Sequence, residues 1–225
     1  MKSAFSFRNN NFSFSLNSAE DAVQRPLSNG RFYEHIQLEK HINLIPARAT
    51  VLDVGANIGN HTVFYGAFSK AEKIFPFEPN PSTNLLLKQN VINNDLSNVD
   101  LSFSHLGCGA EKKEMKISLP VPDRPGRARL VDTNEQHSDV LVVESLDNVF
   151  PDRDIHFVKI DVESMELDVL SGAKNLIDRC RPAIAIEVDL SNMNYFRIWR
   201  EKNNYSIIEC YRPHKANWNF LLVPA

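Results

Sequence analysis

The chain has 225 residues, 43% of them hydrophobic and 24% charged, with a formal net charge of −3. That length holds one full α/β domain and leaves little for a second, and the slightly acidic balance excludes a basic nucleic-acid footprint. Three widely spaced cysteines, Cys108, Cys180 and Cys210, argue against a disulfide framework or a cysteine zinc site and fit a reducing, cytoplasmic setting.

At the N-terminus, Phe5 and Phe7 alternate with polar residues, an Asn-rich turn follows, and Phe12, Phe14 and Leu16 alternate again. This predicts a β-hairpin with one apolar face packed on the main body. Neither a signal peptide nor a membrane span is expected there, and no later run approaches the roughly 20 apolar residues a span needs. Phe32, Ile36, Leu38, Ile42 and Ile45 predict a helix over 31–44. Residues 1–46 thus read as a hairpin-and-helix extension and 47–225 as the main domain.

From Val51 the pattern becomes regular. Strands are expected at Val51–Val54, Ile74–Phe77 and Val99–Leu106, the last extended as a ribbon by Glu114–Leu119, with helices at Asn60–Ser69 and Pro81–Asn94. A loop rich in Pro and Arg runs from Pro120 to Ser138. After it come the strand Val140–Val143, a short helix near Leu146, and a continuous apolar strand Phe157–Val162. A helix over Glu166–Ile177, a strand Ala183–Val188 and a helix Asn192–Lys202 follow. Tyr205–Cys210 and Asn219–Val223 close the chain as two strands with no helix between them. Alternation of this kind gives a parallel sheet covered by helices on both faces, ending in an antiparallel hairpin.

The run Val51-Leu-Asp-Val-Gly-Ala-Asn-Ile-Gly59 carries a strand into a glycine-bearing turn and a helix, at the carboxyl edge where such sheets bind ligands. Gly55 permits a sharp turn, and Gly59 a tight helix start with N–H groups left for an anion. Asp53 would sit poorly beside a pyrophosphate. It complements the cationic amino and sulfonium groups of S-adenosylmethionine, and the three-glycine dinucleotide fingerprint is absent. Glu78, at the end of the second strand, can accept both ribose hydroxyls. Leu106 and Gly107 end the third strand near the expected adenine position.

The segments Asp53-Val-Gly-Ala-Asn-Ile-Gly59, Phe77-Glu-Pro-Asn80 and Lys159-Ile-Asp-Val-Glu163, in that order, resemble the FkbM family of methyltransferases. The likeness spans about residues 32–190 and includes Arg31-Phe-Tyr-Glu34 ahead of the core. It implies a Rossmann-like class I fold with a seven-stranded, mostly parallel sheet, and S-adenosylmethionine as cofactor. It also implies O-methylation of a sugar, glycolipid, polysaccharide precursor or natural product. Asp53, Gly55, Asn57, Gly59, Asn60, Glu78, Pro79, Asn80, Leu106, Gly107 and Asp161 become cofactor-site candidates. Where the family has glycine after Asp-Val-Glu this chain has Ser164, which is expected to cap the next helix.

Methyl transfer asks the protein to align donor and acceptor and to help remove a proton. Asp161, Glu163 and Glu187 are the candidate catalytic carboxylates. One of them could act as a base with a pKa raised by burial. Alternatively Asp161 with Glu187 or Asp189 could hold a divalent cation. Glu163 and Glu166 could instead serve only the helix N-terminus.

His61 follows the glycine turn, where a surface role and a cofactor contact are equally open. The other histidines have no ligand spacing. His214 and Trp218 fall in the last loop. Arg124, Arg127 and Arg129 could grip an acceptor phosphate, though a solvated loop accounts for them as well. A small-molecule or glycan acceptor is expected, with no nucleic-acid partner, and a homodimer through the hairpin or edge strands is an open expectation. A nicotinamide-dependent oxidoreductase and a non-catalytic cofactor-binding relative are the alternatives.

Overall fold

The computed structural model describes residues 1–118, 129–132, 140–212 and 215–225, with backbone alone at 117–118 and 129–132. Its centre is a pair of strands with every residue buried, β3 (Thr50–Val54) and β9 (Phe157–Ile160). Continuous apolar runs of this kind belong to strands covered on both faces. The remaining elements in chain order are β1 (Lys2–Phe7), β2 (Asn10–Ser15), α1 (Gln24–Ser28), α2 (His35–Asn43), α3 (Asn60–Phe68), β4 (Lys73–Phe77), α4 (Pro81–Asn93), β5 (Gly107–Cys108), β6 (Lys113–Ser118), β7 (Arg129–Asp132), β8 (Val140–Glu144), α5 (Leu146–Val149), α6 (Glu166–Gly172), α7 (Lys174–Cys180), β10 (Ala183–Asp189), α8 (Met193–Lys202), β11 (Tyr205–Tyr211) and β12 (Asn217–Pro224).

The main sheet has six strands in the order β11-β12-β10-β9-β3-β4. β4, β3, β9 and β10 run parallel, while β12 pairs antiparallel with both β10 and β11, as the missing helix between the last two strands predicts. The seventh strand expected at Val99–Leu106 reduces to one parallel bridge, Val99 to Ile74. Beyond it the backbone turns, Ser104 N–H bonding to Leu101 and Leu106 N–H to Phe103. The alternating apolar residues that suggested a strand are satisfied by packing instead, with Phe103 against Phe75 and Phe150. The Glu114 segment does not extend that strand. β6 joins a second sheet, β5-β8-β6-β7, pairing antiparallel with β7 and β8.

The helix expected over Glu166–Ile177 is two helices. A Cβ on Gly172 would collide with the carbonyl of Gly109, so the chain is held tightly there. Asp147 then accepts the N–H groups of Asn175 (2.9 Å) and Leu176 (2.8 Å), starting α7 afresh. The short α1 was not foreseen, and α2 starts at His35, leaving residues 31–34 outside the helix.

Apolar residues fill both faces of the main sheet. One cluster joins Leu52, Val54, Val158, Ile160 and Ile186 to α5–α8 through Leu146, Val169, Leu176 and Phe196. The other joins Val51, Phe157, Ala185 and Leu221 to Leu38, Phe64 and the N-terminal hairpin. The hairpin turns at Arg8 and Asn9, both at positive φ (48° and 64°), which matches the strand twist of a tight two-residue turn. Its rings surround Phe32, which meets Phe12 at 4.9 Å and Phe64 at 5.1 Å, edge to face. Phe14 and Phe32 are almost wholly buried, each contributing about 1.5–3 kcal/mol.

The free edge of β2 is occupied by α4. Asn90 and Asn94 each accept from and donate to one backbone residue of β2, Ser15 and Ser13 respectively. Positions four apart on a helix meet positions two apart on a strand because the rises are about 1.5 and 3.3 Å per residue. The hairpin packs on the main body as its alternation predicts, and it shares one core with the sheet.

Candidate active site

The glycine turn stands between β3 and α3. Gly55 (φ 76°) leaves no room for a side chain, because a Cβ would overlap the carbonyl of Asp161, just past the neighbouring strand. Asn57 (φ 51°) and Gly59 (φ 90°) are left-handed too, and a Cβ on Gly59 would lie 2.7 Å from Leu87.

All five N–H groups of the turn have partners inside the protein. Gly55 and Ala56 donate to the carbonyl of Phe77 (3.0 and 2.9 Å), and Asn57 donates to Glu78 Oε2 (3.0 Å). Ile58 donates to Asn57 Oδ1 (2.8 Å) and Gly59 to the carbonyl of Ala56 (2.9 Å). The N–H groups of 55–59 are thus taken up inside the protein, because Glu78 and Asn57 side chains turn back onto the loop.

Glu78 is half-buried at the end of β4. Its Oε1 accepts from Asn80 N–H (3.0 Å) and its Oε2 from Asn57, which leaves further lone pairs for hydroxyls. Burial outweighs those two bonds and pushes its pKa up to about 7. Asn80 also caps α4, accepting from Ser82 N–H with Pro81 at the first helical position. The Glu78 N–H donates to the carbonyl of Ser104, which ties the segment leading to Leu106 and Gly107 to this strand end. Leu106 packs against the core and Gly107 is buried in β5.

Asp53 does not reach solvent. Its Oδ2 accepts from Thr62 Oγ1 (2.6 Å) and its Oδ1 lies 3.2 Å from Lys159 Nζ. Lys159 donates also to the carbonyls of Gly55 (2.7 Å) and Val54 (3.3 Å), and its Nζ is 3.7 Å from Asp161 Oδ2. Burial opposes the Lys159 charge, but the Asp53 and Asp161 carboxylates prevail and hold its pKa above the ordinary value. Asp53 is thus the counter-ion of an internal ammonium that pins the glycine turn. In the sequence Lys159 stands out only within the segment Lys159-Ile-Asp-Val-Glu163, which assigns the lysine no such part.

Beside the turn, an open cleft of about 420 Å³ runs between α2 and the carboxyl ends of β9 and β10, lined among others by Glu34, His61, Asp161, Glu187 and Tyr211. Asp161 and Glu187 meet here, as expected. Burial, then the neighbouring Asp161 and Glu163 carboxylates, push Glu187 up to about 9, while the Asn217 side-chain amide donates to its Oε1. His61 is buried, with Nε2 3.5 Å from Glu34 Oε2, so the surface role is excluded. Burial first, then the Glu34 carboxylate, hold the Tyr33 hydroxyl far above its usual range, and the same two causes act on Tyr211. Burial depresses His41 to about 3, and its Nδ1 lies 2.8 Å from the Tyr65 hydroxyl. Nothing in the sequence points to Glu34 and Tyr211 as cleft residues.

Ser164 is not a cap. It stands at φ 66°, in the conformation glycine favours, and its Oγ donates to Asp189 (3.3 Å) while Met165 holds the N-cap position. Glu166 accepts from Asp189 N–H (2.8 Å) and Asn192, so it braces the loop after β10. The divalent cation finds no support. Asp161 already faces the Lys159 ammonium, and among the described residues no three His, Cys, Asp or Glu side chains converge to hold an ion. Arg124, Arg127 and His214 lie outside the described residues, as does the side chain of Arg129. Trp218 stacks on Phe220.

Against known families, residues 53–207 match the methyltransferase FkbM domain, well over half of the chain. The chain belongs to the FkbM methyltransferase family. S-adenosylmethionine is the methyl donor such membership implies. A curated relative of this FkbM protein, Methyltransferase 1 of Beauveria bassiana (strain ARSEF 2860), is 27% identical over 151 residues, 56% of this chain and 59% of the relative. The chain therefore spans little more than half the length of that relative.

Among solved structures, methyltransferase FkbM from Methylobacillus flagellatus KT aligns with a TM-score of 0.52 and 20% identity, over 82% of this chain and 50% of that one. An rRNA methylase from Streptococcus thermophilus aligns at 0.53 and 14%, over 84% and 95%. At such identities the likeness speaks for the Rossmann-like α/β fold alone.

Proposed function

We propose that this FkbM methyltransferase transfers a methyl group to a hydroxyl of an uncharged, sugar-like acceptor. The observation that carries the reading is the acidic cleft beside the glycine turn. Glu34, Asp161 and Glu187 converge there, and Lys159 is committed to Asp53, Asp161 and two carbonyls. Such a cleft repels phosphates and nucleic acid and suits a cationic donor with a polyol acceptor.

The residues present fit S-adenosylmethionine. Glu78 offers carboxylate lone pairs to a ribose diol, and Asp161, 43% exposed, gives negative charge at the turn. Bound there, the cofactor supplies an activated methyl group. Asn57, Gly59, Asn60, Pro79, Asn80, Leu106 and Gly107 shape the walls of that site. Asp161 and Glu163 keep the acceptor side negative, while Glu187, Tyr33 and Tyr211 stay protonated as hydrogen-bond donors. Residues 1–46 work with 47–225 as one unit by supplying Tyr33 and Glu34. The dinucleotide alternative is disfavoured because N–H groups 55–59 are already bonded and offer no pyrophosphate cradle.

Tritium-labelled methyl transfer from S-adenosylmethionine, offered neutral methyl glycosides, sugar phosphates and transfer RNA in parallel, tests this. Labelled methyl ethers from the glycosides alone are expected. Transfer to RNA, or to the phosphates in preference, would contradict the reading.

A further inference from the structure

Glu34 lies ahead of the matched domain, on the segment entering α2. Contacts from distant parts of the chain fix it. Asn60, the first residue of α3 after the glycine turn, clamps the preceding residue by accepting from Tyr33 N–H (3.0 Å) and donating to Tyr33 C=O (3.1 Å). Glu34 itself is held at φ 54°, a left-handed conformation that a non-glycine residue keeps only when its surroundings impose it. Tyr211, from β11, donates its hydroxyl hydrogen to Glu34 Oε1 (3.3 Å), and His61 Nε2 stands at Oε2 (3.5 Å). Asn219 in turn donates to the Tyr211 oxygen (2.7 Å), which orients that hydroxyl toward the carboxylate.

We propose that Glu34 is the group that takes the acceptor's proton, with His61 and Tyr211 as positioning residues and Glu187 donating a hydrogen bond to the same acceptor. This rests on the O-methylation reading and names the base within it. The titratable groups around Glu34 are Lys159 on β9 and Asp161 just past it, Glu187 on β10, His61 on α3 and Tyr211 on β11, with Lys40 and Glu209 paired nearby. Burial works against ionisation of Glu34, yet His61, Lys159 and the Tyr211 bond hold it below the ordinary carboxylate range. Glu187 is driven the other way, to about 9. Two carboxyls in one cleft with pKa values pushed apart divide into acceptor and donor of protons.

In the step, the acceptor oxygen bonds to the methyl carbon as the carbon–sulfur bond breaks, and sulfur keeps that electron pair. The hydroxyl proton moves to Glu34. One positive sulfonium and one carboxylate become a neutral thioether and a carboxylic acid, which returns its proton to solvent.

The test uses the full chain with Glu34→Gln, Glu34→Asp and Glu187→Gln. Rates with methyl α-glucopyranoside are read beside S-adenosylhomocysteine affinity, and the side-chain carboxyls, labelled with carbon-13, are titrated by NMR. Glu34→Gln should lower kcat by about 100-fold or more while KM and S-adenosylhomocysteine affinity hold, and Glu34→Asp should recover part of the rate. The resonance missing from Glu34→Gln should titrate below the usual glutamate range, and that missing from Glu187→Gln near 9.

A kcat loss under about threefold, or one matched by lost cofactor affinity, overturns the assignment. If the wild type methylates no glycoside, the O-methylation reading fails and the titration still decides. Glu34 found protonated at neutral pH sinks the proposal.

Discussion

On the donor side of the site the fixed points are close in sequence and mostly backbone. Gly55, Asn57 and Gly59 sit in left-handed conformations, and the loop bonds to itself and to Glu78 just past the next strand. On the acceptor side the fixed points are side chains from residues 34, 61, 161, 187 and 211, brought together only by the folded sheet. A backbone turn writes itself into sequence as glycines at set spacing, whereas a cleft assembled from five elements leaves no local pattern. Lys159 joins the two sides, since its ammonium contacts Asp53 and the turn carbonyls below and Asp161 at the cleft.

The largest effect should come from cutting that link. Lys159→Met leaves the Asp53 carboxylate fully buried with Thr62 as its one hydrogen-bond donor, and should cost about 3–5 kcal/mol. Urea unfolding measures it, and cofactor affinity should fall in step because the turn loses its pin. A loss under about 1 kcal/mol would mean that the two sides are built independently.

The smallest effect belongs to the acceptor-side turn. Ser164→Gly relieves a left-handed backbone and gives up one long hydrogen bond to Asp189. These terms nearly cancel, leaving a gain of about 0.5 kcal/mol in stability and no change in S-adenosylhomocysteine affinity. A marked loss would mean that the Ser164 hydroxyl does more than hold Asp189.

Most of the fold was legible because its elements obey their periods. The buried runs at Val51 and Phe157, the hairpin rings and the closing antiparallel pair all stand where the pattern put them. The misses have physical causes. Leu101 and Phe103 alternate like a strand but pack, half-buried, from a turn, and the helix expected to Ile177 breaks where Gly172 meets Gly109. Glycine spacing and a strand-end acid located the donor side. Asp53, however, was assigned to the ligand's charge when its partner is an internal lysine 106 positions later. Glu34 carries no signal of its own, since nothing local in its segment announces a contact with His61 or Tyr211.

Calorimetric titration with S-adenosylhomocysteine, on the wild type and Glu78→Gln at pH 8 and pH 6, tests the central claim most directly. Glu78 must be ionised to accept two ribose hydroxyls, and its pKa of about 7 is raised, so the competent form is gained as pH rises. The account predicts micromolar binding at pH 8, weaker by up to about tenfold at pH 6, and loss of that pH dependence in the variant. A wild type that ignores S-adenosylhomocysteine at both pH values, or prefers a nicotinamide dinucleotide, would contradict it.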